Sequence, residues 1–168
     1  MSQALHFAQA NLTNDEKKTP AEMRSKIVQL ENAMKAMPGA LTAADFVTLH
    51  HFAPGVYMRE LRIPKGVTLT GKIHKTEHLN ILSQGRLAVW TEDGMKVLDA
   101  STVVLSQPGI KRVGHALEDS VWITVHQNPT EEKNPDTLEE MLVVDTFEQL
   151  ESFLKEQKQL TTQGGEKL

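Results

Sequence analysis

The sequence predicts a mainly β protein, a barrel or sandwich of short antiparallel strands with one helix before it and one after. Three observations predict this. Between residues 46 and 128, β-rich runs alternate with turn residues at roughly 8–12-residue spacing. No helical periodicity interrupts those runs, which argues against an alternating parallel α/β sheet. Two helix-capping patterns, Thr19-Pro20-Ala21-Glu22 and Asp145-Thr146-Phe147-Glu148, lie outside the β-rich stretch.

The first helix follows from its cap. Pro20 suits the first helical position, where its missing N–H removes no bond. Met23, Ile27, Leu30 and Met34 recur at helical spacing, and Pro38-Gly39 ends the pattern. The spacing predicts an amphipathic helix over about 20–36, within an N-terminal extension of residues 1–45.

The β-rich runs are Val56–Ile63, Val67–Ile73, His78–Leu82, Leu87–Thr91, Val97–Leu98, Thr102–Leu105, Lys111–Leu117 and Val121–His126. Between them stand Pro64-Lys65-Gly66, Gln84-Gly85, Glu92-Asp93-Gly94, Gln107-Pro108-Gly109 and Glu118-Asp119, residues that favour turns. His50-His51 precedes the first run and reads as a loop pair. Thr130 to Asp136 is charged, carries a proline, and reads as a connection. Phe147, Leu150, Phe153 and Leu154 then give the second helix its apolar stripe, and residues from Thr161 read as a frayed tail. Residues 129–168 thus form a C-terminal connection, helix and tail.

Composition limits the function classes. The chain has 168 residues, 18 basic and 22 acidic side chains, and a formal charge of −4. That length suits one domain with its own core. With no Cys, a disulfide framework, a thiolate zinc site and a cysteine nucleophile are excluded. The acidic balance argues against broad nucleic-acid binding. No apolar run approaches the ~18 residues of a membrane span, and Met1 to Ala10 lacks the pattern of a secretory signal. A cytoplasmic location is expected. No phosphate loop or nucleophile elbow is present.

Chemistry concentrates in the histidines, of which there are seven. The strongest local feature is Gly71-Lys72-Ile73-His74-Lys75-Thr76-Glu77-His78, followed by Gly85. Pro108-Gly109 and the run Lys111 to His126 come later. These residues resemble the cupin superfamily of double-stranded β-helix, or jelly-roll, barrels. The family's first motif is a Gly, a run ending in His-x-His, a Glu and a closing Gly; its second is a Pro-x-Gly turn followed by a His. Gly85 matches the closing Gly, which places His78 at the Glu position and His74 at the second His. Lys72 falls at the first His position and Arg112 near the second-motif His, so two of the usual ligand positions carry cations. The string from His74 to His126 is also similar to a group of phage-encoded cupin-like proteins.

The resemblance implies a metal site built on His74 and His78, and a third ligand is needed. If Glu118-Asp119 turns a hairpin centred on Asp119, Arg112 opposes His126. Opposed residues share a sheet face. The resemblance points Arg112 inward, so His126 then points inward too. A tighter turn instead puts His115 on the face of Trp122 and His126. His126 is the better third candidate and His115 its rival. Three neutral imidazoles suit a divalent transition metal such as Fe, Zn, Ni or Mn, with positions left open for substrate or water.

On the Val56–Ile63 run, Tyr57, Arg59, Leu61 and Ile63 share one face, and Val56, Met58, Glu60 and Arg62 the other. Either face buries a charge if it points inward. Glu60 and Tyr57 are the candidate proton-moving residues, Glu60 otherwise forming a rim ion pair with Arg62 or Arg112. Arg112 suits the binding of an anionic substrate. Val103 and Leu105 leave apolar side chains facing outward, consistent with helix coverage or a homodimer. Two functions fit: a metal-dependent cupin acting on a small anionic molecule (an oxygenase, lyase or isomerase type of enzyme), or a non-catalytic ligand-binding or scaffold barrel.

Overall fold

Thr19 and Glu22 bond reciprocally at the start of helix α1 (Pro20–Lys35), the Thr19 hydroxyl accepting from Glu22 N and the Glu22 carboxylate from Thr19 N. The structure, a computed structural model, describes residues 19–164. The spacing of Met23, Ile27 and Leu30 puts all three on one face, where they pack on Ala88, Trp90 and Val113.

A short 3-10 turn, Ala43–Asp45, leads into ten strands: β1 (Thr48–Ala53), β2 (Val56–Ile63), β3 (Thr68–Thr70), β4 (Ile73–His74), β5 (His78–Gln84), β6 (Arg86–Thr91), β7 (Gly94–Asp99), β8 (Thr102–Ser106), β9 (Val113–Ala116) and β10 (Ser120–Gln127). Helix α2 (Pro135–Leu142), strand β11 (Val143–Val144) and helix α3 (Phe147–Gly164) complete the described chain. All ladders are antiparallel. One sheet has the order β1-β2-β10-β5-β8, a second β3-β9-β6-β7, and a third β11-β4. The steps β2 to β3, β5 to β6, β7 to β8 and β9 to β10 each pass from one large sheet to the other, which is the jelly-roll winding. The fold is therefore a mainly β jelly-roll barrel with flanking helices.

Two of these crossings touch at Gly85. Its φ is +82°, and a Cβ there would lie 2.3 Å from the Asp119 carbonyl oxygen and 2.5 Å from Ser120 Oγ. Only a glycine lets the β5–β6 and β9–β10 crossings pass this closely.

Several expectations are corrected. The hairpin centred on Asp119 does not form: β9 pairs with β3 and β6, while β10 lies between β2 and β5. Glu118-Asp119 is a crossing between sheets, anchored where Asp119 Oδ1 accepts from Lys65 N at 2.8 Å. His50-His51 lies on β1, an edge strand joined to β2 through Pro54-Gly55. The stretch read as a connection, Thr130 to Asp136, runs into the start of α2 at Pro135, after Asn134, whose side chain accepts from Asp136 N and Thr137 N. The second capping box sits one residue later than expected, between Thr146 and Gln149.

The interior is graded along its length. Ile63, Leu82, Leu87, Val89 and Ala116 form an apolar core between the large sheets, joined by Leu61 and Trp122. On the five-stranded sheet the inward row Thr48, Leu61, Trp122, Leu82 and Thr102 borders this core. The next inward row is His50, Arg59, Thr124, Asn80 and Val104, and polar groups take over from there. The outer face of the same sheet leaves Leu79, Val103 and Leu105 exposed. No helix of the described residues is long and apolar enough to cross a membrane.

Candidate metal centre

The last inward row carries the chemistry. Phe52, Tyr57 and His126 are in register across β1, β2 and β10, and His78 faces Ser106 across β5 and β8. Val125 pairs with Leu79, so the next rung brings His126 beside His78, their ring centroids 4.7 Å apart. His74 arrives from β4, whose partner is β11 through the pair Val143 and His74. The Pro108-Gly109 turn closes on the same residue: Gly109 N donates to the His74 carbonyl at 2.9 Å. The short Lys75–Glu77 turn separates the end of β4 from the start of β5, so both rings reach one place, 3.9 Å apart between centroids.

His74, His78 and His126 each offer a nitrogen that lies within 4.8 Å of the others. Nδ1 of His74, Nε2 of His78 and Nδ1 of His126 are buried without a hydrogen-bond partner. A buried polar atom left unpaired costs about 1–3 kcal/mol, so three together need an explanation. A divalent transition ion accepted by three imidazoles would supply one. For His78 the tautomer is fixed, because Nδ1 lies 3.1 Å from the Thr76 carbonyl oxygen, which only accepts. Nδ1 therefore carries the proton and Nε2 presents a lone pair.

The electrostatics favour the ligating form. Burial, helped by His78, His126, Arg112 and Arg59, pushes the His74 pKa down to about 2. Burial, with His78 and Arg59, pushes His126 down to about 4. Burial, with Arg112, also lowers His78, against the raising effects of the Thr76 carbonyl and the Asn80 side chain. All three imidazoles are neutral at pH 7, as a metal ligand must be.

Around the histidines lie three polar groups. The Tyr57 hydroxyl and His50 Nδ1 share a hydrogen bond of 2.7 Å, and the Tyr57 ring stacks between Phe52 and His126. Arg59 points inward between them and Leu61, opposite His50 and Thr124. Arg112 donates to Ser106 Oγ, which also accepts from Asn80 Nδ2 at 2.5 Å.

The remaining candidates lie elsewhere. Glu60 is on the outward face of β2, bound to Arg62 at 3.2 Å and His51 at 3.5 Å, away from the histidines. Of the two expectations for Glu60, the pair with Arg62 is the one these contacts match. Lys72 reaches Glu139 of α2 at 2.6 Å and Asp145 at 3.4 Å. His115 faces the other way on β9, in line with Val113, and its Nδ1 lies 2.8 Å from Thr68 Oγ1. Sequence reasoning did not assign roles to His50, Asn80, Ser106 and Arg59. Only Arg59 left a signal, its alternation with Tyr57 and Leu61.

No family model matches the chain, and no curated protein matches it in sequence. Solved structures similar to it include KdgF from a Halomonas species, 17% identical over 55% of this chain and 81% of that one, TM-score 0.43. A cupin superfamily protein from Desulfitobacterium hafniense is 8% identical over 56% of this chain and 85% of its own, TM-score 0.43. Salicylate 1,2-dioxygenase from Pseudoaminobacter salicylatoxidans is 9% identical over 65% of this chain and 32% of its own, TM-score 0.47. The winding and the site therefore define the chain on their own terms, as a small jelly-roll barrel with a buried three-histidine cluster at its polar end.

Proposed function

We propose that the chain is a metal-dependent cupin acting on a small anionic molecule, with His74, His78 and His126 as the ligands of a divalent Fe, Zn, Ni or Mn ion. The observation that carries this reading is the set of three buried imidazole nitrogens, unpartnered and within 4.8 Å of one another. Such an ion polarises a bound oxygen group or lowers the pKa of bound water. Tyr57 holds or passes a proton in this reading, supported by its hydrogen bond with His50 of the half-exposed edge strand. Arg112, held by Ser106, orients an anionic group of the ligand. The exposed Leu79, Val103 and Leu105 support the pairing of two copies through the outer face of the five-stranded sheet.

The second reading, a barrel that binds a ligand without catalysis, is favoured by Lys72 and Arg112 at two family ligand positions. Elemental analysis of untagged protein separates the two. Metal in the wild type, lost in His78→Ala and His126→Ala but kept in His115→Ala, is the expected result. A folded wild type that neither carries Fe, Zn, Ni or Mn nor takes one up on titration overturns the metal reading.

A further inference from the structure

The chain has five arginines. Arg24 pairs with Glu92, Arg62 with Glu60 and Arg86 with Asp99. Among the described residues no carboxylate lies within ion-pair distance of the other two, Arg59 and Arg112. These two are the arginines placed at the histidine cluster. Of the inward rows at this end, neither Phe52-Tyr57-His126 with His78-Ser106 nor His50-Arg59-Thr124-Asn80-Val104 contains an acid.

The two cations flank the histidines. In the sheet order, Arg59 stands on β2, His126 on β10, His78 on β5, and the Ser106 that holds Arg112 on β8. Three strand spacings, about 14 Å between backbones, separate the two outer positions. Ser106 is fully buried and neutral, so its bond fixes the Arg112 guanidinium without compensating its charge. Resting on the metal reading above, the site combines a doubly charged ion, three neutral ligands and two unpaired guanidiniums. A buried site of that charge demands more than one negative group from its ligand.

We propose that Arg59 and Arg112 are the two poles of a clamp that selects a small dicarboxylate, one carboxylate between the histidine-held metal and Arg112 and the other on Arg59. Guanidinium forks match carboxylates in a bidentate manner. A ligand with two separated acid ends offers one carboxylate to each guanidinium, whereas acetate offers a single one.

Calorimetry on the full chain loaded with Zn(II) tests this, with malonate, succinate, glutarate, acetate and inorganic phosphate as probes. The best dicarboxylate binds at least tenfold more tightly than acetate or phosphate. Arg59→Gln and Arg112→Gln each weaken it at least tenfold, with zinc stoichiometry unchanged by elemental analysis. Arg59→Lys, which keeps the charge and loses the fork, falls between and stands in should Arg59→Gln fail to fold. Acetate or phosphate binding as tightly as every dicarboxylate overturns the clamp, as does a folded Arg59→Gln with unchanged affinity. A wild type that takes up no zinc but binds a dicarboxylate through both arginines upholds the clamp and overturns the metal reading. A zinc-free wild type that binds none of the acids overturns both.

Discussion

The Tyr57 hydroxyl lies 2.7 Å from His50 Nδ1, joining the one tyrosine of the chain to an edge-strand histidine beside the three-histidine cluster. Burial raises the Tyr57 pKa above its usual value of 10, with Arg59 working in the opposite direction. Because the chain holds a single tyrosine, the change in absorbance at the phenolate band reports this hydroxyl alone. Titration of the metal-free protein is expected to show a midpoint above 10. The folded state holds this proton more tightly than the unfolded chain, so the stabilisation is complete below pH 10 and is lost as pH rises through the folded value. A midpoint at 10 would contradict the buried setting of the hydroxyl.

Metal and stability are linked at the cluster. Metal that binds only the folded protein stabilises it by about 4 kcal/mol when its concentration is a thousandfold above Kd. Unfolding in urea with and without Zn(II) is expected to show this gain in wild type and its loss in His74→Ala, His78→Ala and His126→Ala. His115→Ala is expected to keep the zinc gain and to lose about 1 kcal/mol through the Thr68 bond. Equal zinc stabilisation in wild type and His78→Ala would remove that residue from the ligand set.

Helix α1 is tied to the barrel by a buried ion pair. Lys111 Nζ lies 3.0 Å from Glu31 Oε2, and the Lys111 side chain is 2% exposed. Burial alone would raise the Glu31 pKa, yet Lys111, Lys35 and Thr70 bring it below the usual 4.5. Glu31→Ala strands the Lys111 charge and is expected to cost about 3–5 kcal/mol in urea unfolding. The folded state favours ionised Glu31, so this contribution is present above pH 4.5 and is lost as pH falls through the lower folded value. Wild type is expected to converge on Glu31→Gln in stability over that acid range.

At Gly85 the expected outcome is steric. An alanine takes a left-handed conformation that costs about 1–2 kcal/mol, and its Cβ also overlaps the Asp119 carbonyl. Gly85→Ala is expected to lose more than about 2 kcal/mol, read as a lower urea midpoint. Gly66→Ala, with φ +84° but open space around its Cβ, isolates the conformational part and is expected to lose less.

What was legible follows the range of the interactions. The alternating strands between 56 and 126, the Thr19 cap and the Met23-Ile27-Leu30 stripe are local patterns, and the structure contains them. The β1 strand was hidden because His50 and His51 interrupt its alternation, and α2 because its one buried apolar anchor is Leu138 among charged neighbours. The partners of β9 and β10 are nonlocal: neither strand announces that it will join opposite sheets. The structure consequently brings His126 rather than His115 to His74 and His78, but through the β2–β10–β5 register and not through a hairpin. Which face of β2 turned inward was also undecidable from that strand alone, since each face carries a charge. Pairing with β10 sets Tyr57 and Arg59 inside and leaves Glu60 on the rim.

His74 is held in place by the C-terminal segment. Its strand β4 has one ladder partner among the described residues, β11 of the C-terminal segment. Lys75 N donates to the Leu142 carbonyl at 2.9 Å, and Lys72 binds Glu139 of α2. Helix α3 presses on the turn that supports His74, since a Cβ on Gly109 would lie 2.9 Å from Leu150 Cδ2. His78 and His126, by contrast, stand on strands paired within the five-stranded sheet. Removing residues 133–168 therefore frees one candidate ligand while leaving the ladders of the other two. The truncated chain is expected to keep its β-sheet circular dichroism and to bind Zn(II) at least tenfold more weakly, measured by competition with a chelating dye. The milder Lys72→Met, Glu139→Leu pair, which removes one tie and keeps the β11 ladder, is expected to weaken binding less than truncation. Zinc affinity unchanged by the truncation, in a chain that still folds, would show that β4 is held in place without β11.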